Sequence, residues 1–146
     1  MRVLVQKSGI SSVSINNKEV GKINNGLVLL VGFTHEDTES DIIKMAKKVV
    51  NLRIFDDENN IMNKSLLDVG GDILSISQFT LYGDASKGNR PSYINAMPGD
   101  KAIYYYELFN KELEKYGINV QTGVFGENMN VSINNIGPTT IWLESR

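Results

Sequence analysis

Ser77-Gln78-Phe79-Thr80 brings two hydroxyls and a carboxamide together within four residues. They follow an apolar run, Ile73-Leu74-Ser75-Ile76, that reads as a buried strand, and they precede a loop rich in turn formers, Tyr82 to Pro91. A serine or threonine hydroxyl attacks an ester when a base takes its proton, normally a histidine held by a carboxylate. The chain has one histidine, His35, in Thr34-His35-Glu36-Asp37, and no G-x-S-x-G elbow, so a triad is poorly supported. A corner without a base can still catalyse. Backbone N–H groups at an open strand end stabilise an oxyanion, each donor contributing roughly 10²–10³ in rate. Gln78 then orients a carbonyl, Thr80 hydrogen-bonds the substrate, and the chemistry suits an activated ester. The same residues can equally do no more than cap a strand, and the residues alone leave both readings open.

Two other stretches carry possible chemistry. Gly137-Pro138 is a rigid dipeptide with a plausible cis bond and two bare carbonyls. On sequence alone it reads as a turn between Asn134-Asn135-Ile136 and Thr139-Thr140. Lys87-Gly88-Asn89-Arg90-Pro91-Ser92 is a small basic loop beside the corner, where Lys87 and Arg90 can hold a phosphate or simply face solvent. The acidic run Asp56 to Asn60 lacks the spacing and glycine of an EF-hand and reads as a solvated turn.

The elements that position these groups follow from patterning. Strands are expected at Arg2–Gln6, at Ser11–Ile15 and Lys18–Ile23 as a hairpin, and at Leu27–Phe33, apolar throughout and so covered on both faces. Thr38 caps a helix with Asp41 three residues on, running to about Val50 with Ile42, Ala46, Val49 and Val50 inward. Leu52–Phe55 reads as a strand and Ser65–Gly71 as an irregular link. A second helix spans Gly99–Tyr116 and buries Ala102, Tyr106, Phe109, Leu113 and Tyr116. Tyr104 and Tyr105 tempt one toward base stacking, but at helical spacing aromatic residues more often serve the core. Short strands at Asn119–Thr122, Met129–Asn134 and Thr140–Leu143 complete an α/β chain. No linker or repeat divides its 146 residues, so one domain, residues 1–146, is expected.

Composition narrows the classes. A net charge of −2 disfavours extensive coating of duplex nucleic acid but allows contact with one end of it. With no cysteine and one histidine, disulfides, a thiolate nucleophile and a histidine-rich zinc site are excluded. No apolar run nears the ~20 residues that span a bilayer, and no signal sequence is evident, which points to the cytoplasm.

Taken in order, Met1-Arg2-Val3-Leu4-Val5-Gln6, Leu52-Arg53-Ile54-Phe55, Leu67-Asp68-Val69-Gly70-Gly71, Ser77-Gln78-Phe79-Thr80-Leu81-Tyr82, Lys87 to Ser92, Phe125-Gly126 with Met129, and Asn135-Ile136-Gly137-Pro138-Thr139-Thr140 resemble the D-aminoacyl-tRNA deacylase family over the whole chain. The resemblance implies a three-layer fold with a mixed, largely antiparallel, barrel-like sheet layer and two main helices. It implies hydrolysis of the ester between a D-amino acid and the 3′-terminal adenosine of tRNA, with glycyl-tRNA mischarged on tRNA(Ala) also accepted. Neither metal nor cofactor is implied. Ser77, Gln78, Phe79 and Thr80 would hold the reacting ester, with either Thr80 or the tRNA's own ribose hydroxyl acting in catalysis. Phe125 and Met129 would line the adenosine pocket. The implied assembly is a homodimer in which Gly137-Pro138 enters the partner's site, fixes the amino group through its carbonyls and excludes L side chains by collision. Ile136 stands where the family usually has aspartate, Thr139 for valine, Lys7 for arginine and Gly83 for alanine, and Ile136 removes any polar support from that side chain. Rival readings are a non-catalytic module for tRNA 3′ ends or nucleotides, and a purely structural dimer.

Overall fold

In the computed structural model, which describes residues 1–146, a five-stranded sheet of order β10-β1-β4-β7-β8 forms the middle of three layers. β1 (Arg2–Ser8) lies between β10 (Asn135–Glu144) and β4 (Gly26–Gly32) and is antiparallel to both. β7 (Asp72–Ser77) runs parallel to β4, and β8 (Val120–Thr122) parallel to β7. A parallel pair needs a crossover, which α1 (Glu39–Asn51) and the segment after it supply.

The all-apolar β4 is explained by its two neighbours. Leu27, Leu29 and Val31 join the core formed with α1 and α3 (Gly99–Glu114), while Val28 joins a second core on the opposite face. That second core holds Val13, Ile23, Leu74 and Ile76, packed under a small antiparallel sheet of β3 (Lys18–Ile23), β2 (Ser11–Ile15) and β9 (Asn130–Ser132). The small sheet does not reach the β1–β10 side. There Trp142 stays 46% exposed on the face that it shares with its ladder partner Leu4.

The expected α/β class, mixed and largely antiparallel pairing and two main helices are all present. The Thr38 cap forms as expected: its hydroxyl accepts from Asp41 N–H at 3.3 Å, and Asp41 accepts from Thr38 N–H at 2.8 Å. Several boundaries differ. Of the expected Leu52–Phe55 strand only Phe55 is in one, β5 (Phe55–Asp56), paired in a short hairpin with β6 (Met62–Lys64), while Ile54 turns inward to the core. The expected link at Ser65–Gly71 contains a helix, α2 (Leu66–Val69), whose Ser65–Asp68 capping box makes one turn stable enough to form. α3 stops at Glu114, leaving Tyr116 39% exposed, and the buried aromatic in its place is Tyr105, packed 6.2 Å from the Phe33 ring. The tyrosines expected to be core rather than stacking surface divide: Tyr105 is core, and Tyr104 is exposed with its hydroxyl donating to Glu39 at 2.7 Å.

The end of the chain differs most. The strand expected at Thr140–Leu143 begins at Asn135 and carries Gly137-Pro138 within it, joined by a cis bond. Proline is tolerated there because β10 is an edge strand. Asn135 pairs with Ser8 and Thr140 with Gln6, so Ile136 to Thr139 bulge out opposite Lys7 alone. The Asn135 carboxamide closes the base of this bulge, donating to the carbonyls of Lys7 and Thr139, each at 3.0 Å. Polar support therefore comes from Asn135, while Ile136 is exposed.

Candidate active site

β4 and β7 end side by side, and their carboxyl ends open into a cavity of about 590 Å³. In α/β sheets ligands bind outside the carboxyl ends of parallel strands, where connections diverge and leave a crevice. Val31, Gly32 and Phe33 come from β4 and its end, and Ile76, Ser77, Gln78 and Phe79 from β7 and the turn after it. Met97 and Ala102 close one wall, and Phe125 and Met129 another. The volume and the predominance of apolar lining suit one small organic group.

The corner itself is not a continued strand. β7 stops at Ser77, and Phe79–Tyr82 forms a single 3₁₀ turn. Both of its ends are tied down. Gln78 N–H donates to the Val31 carbonyl at 2.7 Å, and the Leu81 carbonyl accepts from the Arg2 guanidinium at 2.7 Å. That guanidinium also lies 4.4 Å over the ring of Tyr82, whose burial pushes its phenol far above the ordinary tyrosine range, with the Asp37 carboxylate adding to the rise. Gly32 sits beneath the turn. A Cβ there would stand 2.9 Å from the Gln78 carbonyl oxygen and 3.3 Å from Leu81 Cβ, so only glycine lets the turn close this tightly.

The turn sets up two donors. The first N–H groups of a helical turn have no partner within it. Leu81 N–H and Gly83 N–H are bonded back to Gln78 and Thr80, while Phe79 N–H and Thr80 N–H have no protein acceptor. Two adjacent free donors beside an apolar cavity form the arrangement that stabilises a developing oxyanion. The hydroxyls are less reactive than their position suggests. Thr80 Oγ1 accepts a hydrogen bond from the Gln78 carboxamide, which orients it but takes no proton from it. His35 lies in the β4–α1 turn with Nε2 2.8 Å from the Ile94 carbonyl oxygen, a structural contact that fixes the 93–97 segment. No histidine serves Ser77 or Thr80.

The other expected residues divide between near and far. Phe125 and Met129 line the cavity, as do Ser77, Gln78 and Phe79, and Thr80 follows on the exposed side of the turn. Lys87 and Arg90 do not line it. They lie on an exposed loop pinched at its base by two 2.8 Å hydrogen bonds between Asp84 and Ser92. Gly137-Pro138 is remote within the same chain. Ser77 stands level with Val31, Val3 and Leu143 across the paired strands. Gly137 lies in the bulge opposite Lys7, four residues from Val3, roughly 13 Å along the strands at ~3.3 Å per residue, and three strand spacings of ~4.8 Å across the sheet. Of the two carbonyls expected to be bare, that of Pro138 accepts from the Thr140 hydroxyl at 3.1 Å.

Sequence reasoning did not find Val31, Gly32, Phe33, Met97, Ala102, Tyr93 or the rim residues Glu127 and Asn128. The available signal was the pairing of two buried strands, each ending in a polar loop. Their parallel alignment, which puts both ends on one side, is not written in either strand.

The D-Tyr-tRNA(Tyr) deacylase family model matches residues 4–144. A D-aminoacyl-tRNA deacylase of Bacillus cytotoxicus is 54% identical over 146 residues, covering all of both chains. Its counterpart from Bacillus pumilus is 53% identical over all of this chain and 99% of that one. Among solved structures, one described as c-Myc DNA Unwinding Element Binding Protein superposes with a TM-score of 0.94 at 37% identity, covering 100% of this chain and 99% of that chain. A probable eukaryotic D-amino acid tRNA deacylase superposes with a TM-score of 0.83 at 18% identity over 97% of each, a likeness of fold alone. Because the family pattern runs from Leu4 to Glu144 and relatives share more than half of their residues with it from end to end, this chain belongs to the D-Tyr-tRNA(Tyr) deacylase family.

Proposed function

We propose that the protein hydrolyses the ester joining a D-amino acid to the 3′-terminal adenosine of tRNA, and that it also accepts a glycyl ester, including glycine mischarged on tRNA(Ala). The observation that carries this reading is the pair of unpartnered N–H groups on Phe79 and Thr80 at the edge of an apolar cavity. In this reading the ester carbonyl lies against the corner with its oxygen toward those donors, and Phe125 and Met129 face the adenosine. Water adds to the carbonyl carbon, the bond to the ribose oxygen breaks, and that oxygen leaves with a proton. Since the chain offers no base to Thr80, a ribose hydroxyl of the substrate takes part in the proton transfer. The reaction would take place in the cytoplasm, where aminoacyl-tRNA is made and consumed.

The choice of hand belongs to a homodimer in this proposal. Gly137-Pro138 stands too far from Ser77 of its own chain to screen that site, so the screening pair is Gly137 and Pro138 of the partner subunit. The uncovered face of β1 and β10, with Trp142, supports pairing on that side. A screen of this kind rejects L side chains by collision and passes hydrogen or a D side chain.

Purified protein incubated with D-tyrosyl-tRNA and L-tyrosyl-tRNA tests both parts. Rapid release of D-tyrosine with L-tyrosyl-tRNA left intact is expected, and no release at any enzyme level would sink the hydrolase. Gly137 holds φ at +113°, and a Cβ there would lie 2.5 Å from Thr139 Oγ1. Gly137→Ala should therefore displace the bulge and raise cleavage of the L ester more than it lowers cleavage of the D ester. An unchanged D-to-L ratio in that variant would place the screen elsewhere.

A further inference from the structure

Phe79 and Tyr93 meet edge to face at the cavity wall, ring centroids 5.1 Å apart and planes at 71°, yet they remain 55% and 41% exposed. Large exposed rings beside a binding cavity are commonly there to be covered by a ligand. Tyr93 contributes little to the core: it belongs to neither hydrophobic cluster, and its hydroxyl makes no hydrogen bond. Its backbone is nevertheless held firmly. Ala96 N–H donates to the Tyr93 carbonyl at 3.0 Å, Met97 N–H to Phe33 at 3.0 Å, and the Thr34 hydroxyl to Asn95 at 2.6 Å, with His35 on the Ile94 carbonyl. Gly83 has no side chain, and the Tyr93 ring lies 3.0 Å from where its Cβ would be. The ring is thus pre-placed, which lowers the ordering cost of any contact it makes.

We propose that Tyr93, with Phe79 beside it, is the stacking platform for the nucleobase immediately 5′ of the terminal adenosine. This rests on the reading of the substrate as an aminoacylated RNA end. A cavity of about 590 Å³ suits one small organic group, so the next nucleotide lies outside its mouth. The mouth offers what a single strand binds: exposed aromatic rings, and two cations within a few residues of Tyr93 in sequence. Lys87 and Arg90 stand on the loop between Gly83 and Tyr93 and form no ion pair, which leaves both free for backbone phosphate. Aromatic faces that take bases, beside cations that track the backbone, recur where proteins hold single strands without reading their sequence.

The test compares two substrates, D-tyrosyl-tRNA and 3′-O-D-tyrosyl-adenosine, the second of which lacks the stacked base. Tyr93→Leu should lose roughly ten times more kcat/KM on the tRNA than on the adenosine ester, chiefly in KM. Tyr93→Phe keeps the ring and should show no such split. Equal losses on both substrates would make Tyr93 a wall of the cavity and overturn the proposal, as would no loss on either. A change of oligomeric state in Tyr93→Leu, read by light scattering, would assign the ring to a subunit contact and overturn it too. Wild-type protein inactive on both substrates would instead sink the hydrolase reading beneath it.

Discussion

At the scale of single residues, the corner is a device of backbone donors more than of hydroxyls. Thr80 Oγ1 receives a proton donor from Gln78 and faces no base, so it is oriented rather than activated. Thr80→Ala should keep D-tyrosyl-tRNA hydrolysis within about tenfold of wild type, whereas loss of a true nucleophile costs on the order of 10⁶ in kcat. Single-turnover rates on D-tyrosyl-tRNA distinguish the two. The residues Ser77 to Thr80 were legible in sequence because polar groups after a buried apolar run have few other reasons to gather. Val31, Met97 and Tyr93 were not, since nothing in their own neighbourhoods shows that they meet at one cavity. The poor prospect of a triad was legible too, and His35 meets the Ile94 carbonyl rather than a hydroxyl of the corner.

Elements decide how accurately those donors are aimed. The 3₁₀ turn rests on Gly32, and a methyl group there would press on the Gln78 carbonyl. Gly32→Ala should lower kcat about tenfold while costing ~1–3 kcal/mol of stability, the usual range for overpacking. Turnover measured beside a urea melt checks that the rate loss outlasts correction for unfolding. The β5–β6 hairpin gives a separate test through pH. Ile61 and Asn59 N–H groups bond to the Asp57 carboxylate at 3.1 and 2.8 Å, and these bonds hold its pKa below the usual carboxylate value. A group depressed in the folded state stabilises above its unfolded pKa, near 4, and loses that contribution as pH falls through the folded value. The urea midpoint should therefore drop between pH 5 and pH 3, and drop less in Asp57→Asn. The capped helix α1 and the alternation of β2 and β3 were readable because each follows a local rule. The 3₁₀ turn and the passage of β10 through Gly137-Pro138 were not, since pairing partners and edge position decide them, and α2 was missed because a single turn shows no apolar period beyond its Ser65–Asp68 cap.

For the molecule as a whole, the uncovered side of the sheet is the feature that a single chain leaves unresolved. Trp142 lies there with its indole N–H donating to Glu144 at 2.8 Å and the Arg2 guanidinium 5.5 Å from its ring. Burying that face against a second copy would remove a large apolar ring from water, and the proposed homodimer would place Gly137 and Pro138 of the partner subunit at the corner. Trp142→Glu should yield a monomer by light scattering whose preference for D over L esters collapses. A monomer that retains the full preference would show that each chain rejects L side chains by itself. The distance between Ser77 and Gly137 could not be read from sequence, because it depends on the register of three neighbouring strand pairs. The same register shapes how the protein is made. β1 is made well before β10, so one of its two edges waits for that strand to emerge, and Ser145 N–H then bonds the Met1 carbonyl at 2.9 Å. Throughout elongation the nascent chain carries an open apolar edge, Val3 to Val5, that any similar strand can join. On a crowded polysome, slow translation of the stretch between β4 and β10 would prolong that exposure, so the speed of the ribosome there bears on how much of the chain reaches its native pairing.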